Sequence, residues 1–420
     1  MKGTAYNISC HCGNAAQTVF STPQSPGETE PRPLDLCHCK SCRHNTGVAC
    51  VSYMGLAAAP SLDGLRAYEA TPQFTRYFCA TCGCHICWRH ENAGDRGPRK
   101  VMYAVATGVI VGRVDEVEEK KRADDGDAGD QSSGAFAPEE QYGRHINVAG
   151  TKDGGLSRWM PRIDGRAMET HPDWGDDPSG FSLAAGPATA SANAGVLDGF
   201  CHCGTVQLLI TRPDASSRLP RSGYSDLIVP FHTGSPRITN PDDEKWWLRP
   251  SQDSSAPIRY LAGTCACRSC RLISGFEIQT WAFIPRSNIH LCFGAPVDAT
   301  DPDIAEEDYQ PLDFAALAAS SGQGSKKVLQ SYESSPGVMR EFCAKCGATV
   351  FWHDKWRPDL IDVSVGLLDA PEGVRAESWL DWWTGRVSFA EDAGNGRHGE
   401  VAKRAVGLIQ SLEDGLKKIH

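Results

Sequence analysis

The sequence predicts a mainly β protein: two tandem cysteine-stapled domains of small antiparallel sheets, with a short C-terminal helix. Three observations lead there. The same cysteine motifs recur in the same order in both halves. The stretches between them are short and rich in β-branched and aromatic residues. Only the end of the chain carries a clear helical spacing of apolar residues.

The repeat is the strongest signal. CHCGNA, CHCKSCR and RYFCATCG occur in the first half, and CHCGTV, CACRSCR and REFCAKCG in the second. Cys10 and Cys12 thus match Cys201 and Cys203. Cys37, Cys39 and Cys42 match Cys265, Cys267 and Cys270, and Cys79 and Cys82 match Cys343 and Cys346. Gly47 and Gly275 follow their motifs at the same distance, and so do Trp88 and Trp352. The segments between motifs are longer in the second half, as surface loops allow. The segment 115–140, which begins DEVEEKKR, is charged and expected to be mobile. A Gly-, Ala-, Ser- and Pro-rich stretch gives a linker at 181–196, between domains at 1–180 and 197–420.

CGNAAQTVF, CGTVQLLI, GVACVSYM, IQTWAFI and VMYAVATGVIV read as strands, and KVLQSYE is ambiguous. Val401, Ala405, Leu408, Ile409 and Leu412 fall on one helical face, expected to pack on the second domain.

Of the 420 residues, 40% are hydrophobic and 22% charged, ordinary for a globular protein. A net charge of -10 argues against nucleic acid or anionic lipid as partner. No apolar run is long enough to span a membrane, and the N-terminus does not resemble a secretory leader. The expected location is the cytoplasm, where 18 cysteines stay reduced and clustered ones are metal ligands.

The seven repeated thiols of each half divide by chemistry. CxC with CxxC makes a closed four-thiolate zinc site: Cys10, Cys12, Cys79 and Cys82, and again Cys201, Cys203, Cys343 and Cys346. Gly13, Gly83, Gly204 and Gly347 suit tight turns beside them. The trios Cys37, Cys39, Cys42 and Cys265, Cys267, Cys270 have no repeated fourth ligand, the arrangement of an open, catalytic zinc. This gives about four Zn2+ per chain, two per domain. Spacing leaves open a single zinc per half with spare thiols, an iron–sulfur cluster, or disulfides. Cys84 and Cys87 are not repeated, and Cys50 and Cys292 sit in apolar runs. His11 and His202 should point away from the metal. His145 is either substrate-facing or an ordinary strand residue. Lys40, Arg43, Arg268 and Arg271 either offset the thiolate charge, hold a substrate carboxylate, or are solvated. Trp379, Trp382 and Trp383 are either pocket or core.

CHCG, CxCxxCR and FCxxCG together resemble the glutathione-dependent formaldehyde-activating enzyme family, which includes centromere protein V, in its two-domain fungal-type form. The resemblance implies two zinc-stapled β-tent domains. It implies a structural zinc on the CxC and CxxC thiols and a catalytic zinc on CxCxxC. It also implies a carbon–sulfur lyase that joins glutathione and formaldehyde into S-(hydroxymethyl)glutathione. A small-molecule thiol and an aldehyde are therefore the expected partners; oligomeric state is not legible. Two other readings stand beside the enzyme: a non-catalytic zinc-stapled binding module, and a protein whose open thiolates sense oxidation.

Overall fold

A computed structural model describes residues 3–23, 33–92, 100–116, 141–173, 195–250, 256–292, 309–320 and 328–419. The expected mobile segment and linker lie largely outside these residues.

The chain is mainly β, as its residue pattern predicts. In the first half, Ala5–Ile8 pairs antiparallel with Gln17–Phe20 and Ile110–Arg113. A five-stranded antiparallel sheet runs through Tyr53–Leu56, Lys100–Ala106, His85–Asn92, Phe74–Cys79 and Leu65–Thr71. The second half repeats that order in Gln279–Pro285, Leu360–Ser364, Thr349–Asp354, Val338–Cys343 and Leu329–Ser335, and extends it through Arg259–Cys265. KVLQSYE is thus largely strand. Each half also holds a parallel join that periodicity did not suggest: Tyr142–Ile146 beside Leu34–Cys37, and Leu380–Trp382 beside Arg259–Cys265.

The two halves interlock. Gly108 N donates to Gly275 O at 2.9 Å, and Gly366 N donates to Gly47 O at 3.1 Å. Phe78 and Phe342 meet edge to face, 6.3 Å between centroids. A Cβ on Gly347 would stand 2.5 Å from Phe78, and one on Gly83 2.6 Å from Phe342. Only glycine fits at either place, because φ is +80° and +75°.

Short helices α1 (Lys40–Thr46) and α2 (Arg268–Ser274) carry the CxCxxC motifs. Helix α3 is Phe314–Ser320, and α4 is Gly399–Leu416. The face of α4 predicted to be apolar is buried, but against the first half. Val401, Leu408, Ile409 and Leu412 join the core that contains Tyr6, Ile8 and Ile110. The spacing defines a face and not its partner, so expectation and structure differ there. No helix among the described residues is long and apolar enough to cross a membrane.

Candidate metal centres and the cavity beside one of them

Four groups of thiols converge. The sulfurs of Cys10, Cys12, Cys79 and Cys82 lie within 4.8 Å of one another, and so do those of Cys201, Cys203, Cys343 and Cys346. Cys10–Cys12 and Cys12–Cys79 are 3.5 Å apart, and Cys201–Cys343 is 3.7 Å. A tetrahedral zinc with bonds of about 2.3 Å separates its sulfurs by roughly 3.8 Å, so both sets fit that ion. The turns supply amides: Ala15 N donates to Cys10 Sγ at 3.4 Å, and Val206 N to Cys201 Sγ at 3.3 Å.

The trios Cys37, Cys39, Cys42 and Cys265, Cys267, Cys270 also gather within 4.8 Å. In each the motif bends from strand into helix. Cys39 and Cys267 are the N-caps of α1 and α2, and their sulfurs accept from Cys42 N and Cys270 N at 3.3 Å. A buried arginine completes each set. Arg76 donates to Cys42 Sγ, and Arg340 to Cys270 Sγ, both at 3.3 Å. Hydrogen bonds from the other two thiols, then the arginine, hold Cys42 and Cys270 well below the usual thiol range. Three sulfurs and a guanidinium suit a soft cation with one coordination place to spare.

Arg76 and Arg340 lie outside the candidate residues that the cysteine motifs define. The signal was present, since each stands three residues before its CxxC motif in both copies. Arg43, Arg271 and Lys40 have other partners. Arg43 is buried and donates to His38 O at 3.2 Å. Arg271 is buried and donates to Gly108 O at 2.5 Å and Asn395 O at 2.8 Å. Lys40 pairs with Asp369 at 3.0 Å, and the backbone N–H of Arg268 caps its helix start by donating to Asp392. Arg43 and Arg271 are therefore not solvated, and none of the four lines the cavity described below.

His11 and His202 bridge the halves. His11 bonds Tyr332 OH at 2.8 Å and Ser269 Oγ at 3.1 Å. His202 bonds Tyr68 OH at 2.7 Å and Ser41 Oγ at 3.0 Å. Each four-thiol loop thereby braces the trio helix of the other copy. His145 is a core residue. It bonds His38 at 3.0 Å and donates to Met160 O at 2.9 Å, and burial keeps both rings neutral. Cys50, Cys84, Cys87 and Cys292 are buried. Trp379 is core, with Arg212 stacked 3.5 Å above it, and Trp382 packs on Trp159.

The second trio opens on a cavity of about 410 Å³. Trp281, Phe283 and Trp352 form its walls, and Arg340, Arg357 and Asp362 supply polar groups. Arg357 pairs with Asp362 at 2.7 Å and lies 4.5 Å over the Trp352 ring. Burial pushes the Asp362 carboxyl up to about 7, against the pull of Arg357. Residues 222–238, expected to be loop, supply Tyr224, Leu227, Phe231 and Ile238 to the same cavity.

The family model described as glutathione-dependent formaldehyde-activating enzyme matches residues 5–123 and 313–386. The first segment holds all seven repeated cysteines of its half; the second holds Cys343 and Cys346. No curated protein matches the chain.

Proposed function

We propose, for a chain whose residues 5–123 and 313–386 match the glutathione-dependent formaldehyde-activating enzyme model, a zinc-dependent carbon–sulfur lyase-type activity that joins a thiol such as glutathione to an aldehyde. One observation carries this reading: the trio of Cys265, Cys267 and Cys270 borders a cavity of ligand size while Arg340 holds one of its sulfurs. A zinc on that trio would supply a soft Lewis acid with one place for a substrate thiolate. The substrate sulfur bonds to the carbonyl carbon, the C=O π pair moves to oxygen, and that oxygen takes up the proton the thiol gave up. Asp362 lines the same cavity and titrates near neutrality, so its carboxyl can hold that proton in transit. Arg340 offsets the charge of the thiolates and fixes the orientation of Cys270.

The four-thiol sets act as staples that tie the CxC loop of each half to its CxxC hairpin. The same reading divides the chain near 181–196 and gives about four zinc per chain. It places the protein in a reducing compartment such as the cytoplasm, where these thiols persist.

Elemental analysis with Cys39→Ser and Cys267→Ser tests the assignment. About four zinc, falling by one in each variant, is expected, with thiol–aldehyde condensation lost in Cys267→Ser. About two zinc, unmoved by either change, would refute the trio sites. Four zinc without condensation of any thiol and aldehyde would leave a zinc-stapled binding module.

A further inference from the structure

The two trios sit on the same framework, but their surroundings differ. Strand register aligns Tyr53, which pairs with Ala106, and Gly55, which pairs with Ala104, with Trp281, which pairs with Ser364, and Phe283, which pairs with Asp362. The parallel joins align a third position. Ile146 sits beside Cys37 and Ser388 beside Cys265, so Asn147 and Phe389 occupy equivalent places. Both are left-handed, with φ of +57° and +53°. Asparagine tolerates that conformation, whereas for phenylalanine it is a strained outlier. Asn147 gives an amide donor to Cys37 Sγ at 3.5 Å; Phe389 gives its ring to the Cys265, Cys270 and Trp281 cluster.

A buried carboxylate holds this strained backbone in place. Asp226 accepts from Phe389 N at 2.7 Å, Ser388 Oγ at 3.1 Å and Phe231 N at 2.7 Å, with Arg386 at 3.3 Å. Phe231 meets Phe389 edge to face at 5.7 Å. Phe231 and Trp356 are 43% and 65% exposed, and both belong to the rim of the cavity. Large apolar side chains left in water around a concave site mark a surface that meets an apolar ligand.

The charges agree. Glutathione brings two carboxylates. Both cations among the described lining residues are already engaged, Arg340 by Cys270 and Arg357 by Asp362. Asp226 and Asp354 add carboxylates to the same lining.

We infer that the second-half trio takes a thiol with an aromatic or branched apolar body in preference to glutathione. This rests on the thiol–aldehyde reading of that trio and specifies its substrate class. The volume of the cavity suits one small molecule.

The test uses the zinc-loaded full chain carrying Cys39→Ser, which leaves the second-half trio intact. Calorimetric titration compares phenylmethanethiol with glutathione. Phenylmethanethiol should bind about tenfold tighter or better, as burial of one aromatic ring predicts. Phe389→Asn, which installs the first-half residue, and Trp356→Ser, which changes an exposed side chain, should each reduce that preference to within about threefold at unchanged zinc content. Trp356→Ser reports even if Phe389→Asn fails to fold. Equal or tighter binding of glutathione would overturn the inference and leave the thiol–aldehyde reading standing. Binding of neither thiol to chain with zinc on its second-half trio would overturn both.

Discussion

Gly347→Ala should destabilise the protein well beyond the cost of a turn. Gly347 follows a ligand cysteine at φ +80°, and its new Cβ would lie 2.5, 2.7 and 2.9 Å from three atoms of the Phe78 ring. Phe78 is fully buried and packed on Phe342, so it has nowhere to retreat. A left-handed alanine costs about 1 kcal/mol, and forcing a methyl into a packed contact adds about 1–3 kcal/mol. The expected loss is therefore about 2–4 kcal/mol. Gly204→Ala is the control. It sits at φ +72° beside the same four-thiol set, but its Cβ meets nothing within 4 Å. Only the conformational term of about 1 kcal/mol should appear there. Urea denaturation of zinc-loaded protein, read as a midpoint at unchanged slope, separates the two. Equal losses in both variants would show that the contact between halves contributes nothing. Gly83→Ala, facing Phe342, should behave like Gly347→Ala.

Arg76→Met and Arg340→Met should each weaken zinc on one trio by about tenfold or more while sparing the four-thiol sets, since hydrogen bonds to charged groups contribute about 1.5–3 kcal/mol. Chelator competition followed by elemental analysis reads this directly, and four equally retained ions would contradict it. Asp198→Asn should alter stability with pH. Burial, with Asp369 adding to it, raises the Asp198 carboxyl to about 6. Folding therefore favours the neutral form, a contribution full below about pH 4 and lost as pH rises through about 6. Asparagine stays neutral, so the variant should gain about 1 kcal/mol at pH 8, after discount for partial solvent access, and nothing at pH 4. Denaturation at the two pH values checks it; an equal gain at both would contradict the assignment.

Cysteine spacing made the four thiol groups legible, because ligands separated by one or two residues must converge through the local backbone alone. The pairing of Cys10 with Cys82 was readable because the same four thiols recur around Cys201 and Cys346. What spacing could not reach was contact through space. The helix near Leu408 has a readable face, yet its partner is the strand beside Ile110 in the other half. Arg271 looked like a solvated cation by its type and is sealed in by Gly108 and Asn395. Residues 222–238 are rich in turn formers and read as a surface insertion. Asp226 folds them against Phe389, and they become a wall of the cavity.

The reciprocal histidine braces carry one further consequence. Two identical subunits meeting across such braces would have to change in step, since every substitution would appear twice. Here both copies lie on one polypeptide, and that obligation is gone. Ser41 and Ser269, Tyr68 and Tyr332 keep the handshake symmetric. Around it, Asn147 and Phe389 have been free to part company. A symmetric scaffold on one polypeptide can thus hold two trios with different surroundings.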